Sequence, residues 1–241
     1  MRVLLIPGHG DGDPGVVRLG YKESDIVREL APMIQTELSR YCAVDVADQN
    51  KNWYRHIITN KQYFNFKNYD YVAELHVNSN SKNEQGNGKT TGAEIYVPRN
   101  EKIVTVEEKI LSNISSLGFK NRGVKFKNYD LIYHIKNQGV SSALIEVFFL
   151  DDKDDVLLYQ SRKKEVAGAI AKGIAEGYNL KEKEKQMADY SNHWASEEIK
   201  KVLDLGIMNG YPDKSFNPDK PMTRAEMAVV VTNVLNYLKE K

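Results

Sequence analysis

Four residues carry the chemistry legible in this 241-residue chain: His9, Glu23, His76 and Glu146, each placed where a strand should end or a helix begin. Two imidazoles and one carboxylate can hold a zinc ion and leave a coordination position open. A further carboxylate beside it can move protons, so the leading chemistry is metal-assisted hydrolysis. Taken singly, three of the four have ordinary structural explanations: His9 as a turn residue, Glu23 as a first-turn helix acid, His76 as a strand-end histidine. Glu146 is different. It interrupts the apolar run 143–149, where a lone carboxylate is costly without a metal, a cation or a hydrogen-bond donor.

The elements that must position these groups alternate short apolar runs with longer amphipathic ones, the pattern of an α/β domain with a mostly parallel sheet. Strands are predicted at 3–6, 44–46, 71–76, 93–97, 131–134 and 143–149, and helices at 24–41, 53–66, 101–117 and 162–178. The acids at 151–155 suit a helix start. In such sheets ligands gather beyond the carboxyl ends of the strands. His9, His76 and Glu146 fit that position, and Glu23 enters from the helix after the loop 8–20, which Gly8, Gly10, Gly12 and Gly15 allow to bend close to an ion. The run Lys-Glu-Lys-Glu-Lys-Gln at 181–186 breaks the periodicity, so we divide the chain into a catalytic domain 1–180, a charged linker 181–188 and a small all-α module 189–241. That module reads as a helix at 195–205, a turn rich in Gly, Pro and Asp, and a helix at 223–238.

Composition excludes several classes. A formal net charge of +1 without a Lys/Arg-rich block argues against a nucleic-acid partner. The single cysteine, Cys42, allows neither an intramolecular disulfide nor a cysteine zinc site. No signal peptide is visible at the amino terminus, and nothing approaches the roughly 20 apolar residues of a membrane span. The expectation is a chain made in the cytoplasm. Gly86-Asn87-Gly88-Lys89-Thr90 fails as a phosphate loop, because the first glycine is missing and a strand follows. Asp11 and Asp13 start no calcium loop, since no suitably spaced glutamate completes one.

The motifs Gly8-His9-Gly10 with Asp13-Pro14-Gly15, then Glu23, Glu74-Leu75-His76-Val77-Asn78-Ser79, Asn121-Arg122-Gly123-Val124-Lys125 and Ala143-Leu144-Ile145-Glu146-Val147-Phe148-Phe149-Leu150 occur in one order over residues 1–180. In these the chain resembles the zinc-dependent N-acetylmuramoyl-L-alanine amidases of the Amidase_3 type. The resemblance implies a mostly parallel twisted sheet flanked by helices, zinc on His9, Glu23 and His76, and Glu146 as catalytic acid/base. The implied substrate is peptidoglycan, cut between N-acetylmuramic acid and L-alanine. Arg122 and Asn78 become candidate substrate contacts, and His134, at the end of the strand predicted at 131–134, could join them in the cleft or play a structural role. Phe148 stands where bacterial members more often have glycine; the Phe pair is similar to the phage-lysin branch, and its expected effect is on the wall beside Glu146. With no signal peptide visible, an endolysin released through a holin is expected, causing cytolysis.

The second module resembles an S-layer homology domain through His193-Trp194-Ala195, Gly206-Ile207, Gly210-Tyr211-Pro212-Asp213, Phe216-Asn217-Pro218 and Thr223-Arg224-Ala225-Glu226. The resemblance implies binding of secondary cell-wall polysaccharide, with Arg224 on an acidic sugar and Trp194 and Asp213 as further contacts. A guanidinium suits a carboxylate because it donates two parallel hydrogen bonds. A lone copy predicts either self-association through this module or only weak tethering.

Overall fold

The computed structural model describes residues 1–80, 90–183, 189–212 and 215–239. Asp213 and the segment Gly86-Asn87-Gly88-Lys89 therefore lie outside the described residues. Contacts divide the chain into two units, Met1–Lys183 and Glu184–Lys241.

In the first unit, apolar runs form strands covered on both faces, which is why they read as continuous rather than alternating. The strands are β1 (Arg2–Pro7), β4 (Ala43–Val46), β5 (Tyr71–Asn78), β6 (Ala93–Val97), β7 (Asn121–Phe126) and β8 (Ser141–Phe149), with a two-residue hairpin of β2 (Val17–Arg18) and β3 (Tyr21–Lys22) ahead of the first helix. The sheet order is β4-β1-β5-β8-β6-β7. The pairs are parallel except β6 with β8, which is antiparallel. One face packs on α1 (Glu23–Leu38), α2 (Thr105–Ser115) and α4 (Lys153–Gly177), through Ile26, Leu30, Ile34, Ile110, Ile114, Ile170 and Ile174. The other carries a second cluster of Leu4, Ile6, Trp53, Ile57, Phe66, Leu131 and Ile135 beneath α3 (Asp130–Asn137).

Four features depart from the sequence reading. Residues 131–134 are not a strand but part of α3: Leu131, Ile132 and Ile135 recur at helical spacing and are buried, a pattern a four-residue window cannot separate from a strand. The helix predicted over 53–66 shrinks to a π-turn, Arg55–Thr59, and a 3-10 turn, Phe66–Asn68, because its aromatics Trp53, Phe64 and Phe66 pack against one another rather than along one helical stripe. Strand β7 was not expected; its residues are Asn-Arg-Gly-Val-Lys-Phe, too polar for an apolar-run criterion because it is an edge strand. Helix α4 starts at Lys153, capped by Asp152 accepting from the amides of Asp154 and Asp155, and is interrupted by non-helical Arg162, the residue from which sequence periodicity begins it.

A buried pair in this unit gives a pH-dependent stability. Tyr71 donates to Glu107 Oε1 at 2.8 Å, with both residues buried. Burial pushes the Glu107 carboxyl from 4.5 up to about 7, against the Tyr71 hydrogen bond. A carboxyl raised in the folded state binds more protons folded than unfolded, so stability falls as pH rises from about 4.5 to about 7. That span corresponds to about 3 kcal/mol at most. Glu107→Gln is therefore expected to melt higher than wild type at pH 8 and with it at pH 4.5; equal melting at pH 8 would contradict the assignment.

In the second unit, α5 (Ser196–Asp204) and α6 (Arg224–Lys239) are joined by a loop whose Phe216 and Asn217 amides donate to the Asp189 carboxylate. Thr223 and Glu226 form a capping box at the start of α6: the Thr223 amide and hydroxyl donate to Glu226 Oε2, and the Glu226 amide donates back to Thr223 Oγ1. No described residue of α6 is fully buried.

Candidate metal centre

The parallel topology brings the carboxyl ends of β1 and β5 side by side, so the loop after β1 and the last turn of β5 share one cleft of about 490 Å³. His9, Glu23, His76 and Glu146 all line it. His9 Nε2 lies 3.1 Å from Glu23 Oε2, and His76 Nδ1 lies 2.9 Å from Glu23 Oε1. One ligand atom from each of the three residues falls within 4.8 Å of the others. For ligand bonds of about 2 Å, tetrahedral geometry separates donor atoms by about 3.3 Å, so a small shift admits a shared ion.

The surrounding groups fit that use. His9 Nδ1 is 2.9 Å from Asp13 Oδ2 and His76 Nε2 is 3.2 Å from Glu74 Oε1, so each imidazole presents one nitrogen to Glu23 while a carboxylate holds the other. This is the outer arrangement that fixes tautomer and ring orientation in metal-ligating histidines. Glu23 is fixed by the Val16 amide on Oε2 and the Val77 amide on Oε1. Gly8 has to be glycine, because a Cβ there would stand 2.5 Å from His76 Cε1.

Electrostatics point the same way. Burial alone would raise the Glu23 carboxyl, but the hydrogen bonds and charges of His76 and His9 outweigh it and hold it well below the ordinary carboxylate range. Burial would lower both histidines, yet Glu23 with Asp13 raises His9, and Glu23 with Glu74 and Glu146 raises His76 well above its usual value. The pocket thus favours positive charge between the rings. Glu146 sits opposite His76 in the β5–β8 register and opposite Glu94 in the β6–β8 register. Its Oε2 is shut off from solvent and has no hydrogen-bond partner among the described residues. Burial pushes this carboxyl up to about 7, opposed by the charge of His76 and helped by Glu23, Glu94 and Glu74.

The other candidates are placed differently. Asn78 lines the cleft but donates to Glu94 Oε1 at 2.8 Å. Arg122 Nε donates to Glu94 Oε2 at 2.7 Å, with its guanidinium over the Phe149 ring, and Lys125 joins the same carboxylate. Both substrate candidates are thus tied to one buried acid. His134 is outside the cleft. It lies on α3, with Nε2 beside Gln138 and its ring edge-on to Phe66, on a separate depression with Ile57, Lys61 and Tyr63. The expectation that Phe148 forms the wall beside Glu146 is also corrected: it is fully buried, stacked on Tyr159 with ring centroids 4.6 Å apart. The β5–β8 register slips between His76 and Asn78, adding a residue to β8 and breaking the alternation that would align Phe148 with Glu146. Trp194 is 89% exposed and Arg224 is exposed at the start of α6.

Sequence reasoning passed over Glu74, Asn52 and the role of Asp13. Glu74 had a signal, since it lies two residues before His76 on a strand and shares its face. Asp13 has no signal of its own beyond its place in the Asp13-Pro14-Gly15 motif, and Asn52, which donates to Asp13 Oδ2 at 3.0 Å, has none.

His9 beyond one strand end, His76 near another and Glu23 at a helix start, beside a carboxylate whose buried Oε2 has no partner among the described residues, define a candidate hydrolytic metal centre on an α/β sheet. The family model described as N-acetylmuramoyl-L-alanine amidase matches residues 3–176, and the chain belongs to that family. Residues 186–228 match the S-layer homology domain. The chain is 25% identical over 180 residues to the N-acetylmuramoyl-L-alanine amidase LytC of Bacillus subtilis, which covers 73% of this chain and 35% of that protein. It therefore spans about a third of that relative's length. Over 47 residues it is 47% identical to a cellulosome-anchoring protein of Acetivibrio thermocellus, covering 20% of this chain and 10% of that one. Among solved structures, the catalytic domain of the CD27L endolysin targeting Clostridia difficile shares the fold, with a TM-score of 0.58 and 23% identity over 73% of this chain and 97% of that one.

Proposed function

We propose that this chain is a zinc-dependent N-acetylmuramoyl-L-alanine amidase of the endolysin type, hydrolysing the amide between N-acetylmuramic acid and L-alanine, with its C-terminal unit holding it to cell-wall polysaccharide. The observation that carries this reading is the joint placement of His9, Glu23 and His76 beside Glu146 Oε2, within the region matched by the family. Two nitrogens and one oxygen with an open position suit zinc. When bound, the ion supplies a Lewis acid that makes water nucleophilic near neutral pH and favours negative charge on the attacked carbonyl oxygen. Glu146 takes the proton of the attacking water and returns it to the departing amine. A carboxyl pushed up to about 7 is matched to both tasks at neutral pH. Asp13 and Glu74 keep His9 and His76 oriented toward Glu23. Asn78 and Arg122, presented by Glu94, are the proposed substrate contacts. The Phe148-Phe149 pair supports the endolysin branch.

Incubation of isolated cell walls with the protein tests this directly. Newly exposed N-terminal alanine is the expected product. A different new terminus would identify a peptidase of the stem peptide, and wall binding without hydrolysis would identify an anchor protein.

For the C-terminal unit, Arg224, Trp194 and Asp213 are the proposed contacts to an acidic wall polysaccharide. The match to the S-layer homology domain supports placement at the cell surface, and no described helix is long and apolar enough to cross a membrane. Met227, Val231, Leu235 and Leu238 recur along α6 at helical spacing and are exposed, a face that a second copy would cover. Light scattering on the full chain is expected to give a mass above the 27.5 kDa of one chain, falling to that value in Val231→Asp/Leu235→Asp. A monomeric wild type at high micromolar concentration would refute self-association.

A further inference from the structure

Arg28 of α1 spends its whole guanidinium on backbone carbonyls. Nε donates to Gln49 O at 2.7 Å; Nη1 donates to Gly8 O at 2.9 Å and Ser24 O at 3.1 Å; Nη2 donates to His9 O at 2.9 Å and Lys51 O at 3.3 Å. Five N–H groups meet five acceptors, which is the full capacity of the side chain. None of the five is a carboxylate, so this is no salt bridge and the arginine's charge is not what selects these partners.

The acceptors come from three segments, and each supplies part of the candidate metal centre. Gly8 and His9 carry one ligand; Ser24 adjoins Glu23; Gln49 and Lys51 lead into Asn52, which holds Asp13, which in turn holds His9 Nδ1. His9 itself has a φ of 59°, a left-handed conformation disfavoured for any residue with a Cβ, so its backbone needs an external hold. Arg28 grips the carbonyl on each side of that residue's α-carbon. The sequence makes room for it at Gly10, where a Cβ would come within 1.9 Å of Nη2. A part-buried guanidinium can be replaced in part by water, so its loss is expected to spare the strands and helices and to loosen the relative placement of the three segments.

We infer that Arg28 is a positioning residue that sets the geometry of the metal centre, clamping the backbones that carry His9, Glu23 and the Asn52–Asp13 support. The inference rests on the metal reading proposed above. It makes a prediction opposite in sign to simple electrostatics. A positive charge near the site repels a cation, so on charge alone Arg28→Gln would tighten zinc binding; as a clamp, its loss weakens it.

The experiment measures zinc affinity of the full chain by competition with a chromophoric chelator, for wild type, Arg28→Gln, Arg28→Lys and His76→Ala, with circular dichroism and thermal melts of each metal-free protein. The two Arg28 variants are expected to keep the wild-type spectrum and bind zinc about 10–100-fold more weakly, the range found for partners outside the ligand set. Lysine should not rescue, because an ammonium keeps the charge but not the fork. Zinc affinity equal to or tighter than wild type in Arg28→Gln overturns the inference, as does an unfolded metal-free Arg28→Lys, which would make Arg28 a support of the whole fold. If wild type fails to bind zinc, or His76→Ala binds it as wild type does, the metal reading itself fails and takes the inference with it.

Discussion

Glu146→Gln is expected to bind zinc as wild type does, to melt no lower, and to release N-terminal alanine from isolated walls about 10²–10⁴-fold more slowly, the range for a positioned acid/base. The three outcomes belong together. Glutamine keeps the volume and polar contact of the side chain but cannot accept a proton. Burial pushes the Glu146 carboxyl up to about 7, so a neutral side chain at this position carries no folding penalty. A loss of rate with unchanged melting therefore isolates proton transfer from folding. Hydrolysis by Glu146→Gln at the wild-type rate would remove Glu146 from the mechanism, whatever its burial.

Metal removal should have the larger effect on rate. Dialysis against a strong chelator is expected to abolish hydrolysis, and one equivalent of zinc per chain to restore it. His76→Ala removes the proposed ligand that faces Glu23 Oε1 at 2.9 Å, and should lower zinc affinity by more than the roughly 100-fold upper bound for outer partners. Glu74→Gln keeps a hydrogen-bond acceptor for His76 Nε2 but loses its charge, and should fall within that bound. The ordering His76→Ala, then Glu74→Gln, then wild type distinguishes a ligand from its support. Full activity in protein shown by elemental analysis to be metal-free would sink the metal-dependent reading.

Much of the sheet was legible because parallel strands buried on both faces leave unbroken apolar runs: residues 3–6, 71–76 and 143–149 are the cores of β1, β5 and β8. Edge strand β7, with polar Asn121, Arg122 and Lys125, leaves no such trace. Residues 131–134 show the converse failure, since a short apolar run fits a strand and a helix equally until its neighbours decide. The possible ligands His9, Glu23 and His76 were found from residue type and position at element ends. Their supports were not, because Asp13, Asn52 and Arg28 act through contacts that span 4, 39 and about 20 residues of sequence.

Residue type and local periodicity are enough to show which side chains can carry chemistry and that His9, Glu23, His76 and Glu146 stand at or near element ends. Tertiary contacts alone leave Glu146 Oε2 without a partner among the described residues, converge Arg122 and Asn78 on Glu94, turn His134 elsewhere, and let one arginine join two loops to its own helix by their carbonyls. The physical reason is that backbone carbonyls are the same at every position, so nothing in the order of residues marks the ones a distant guanidinium will reach.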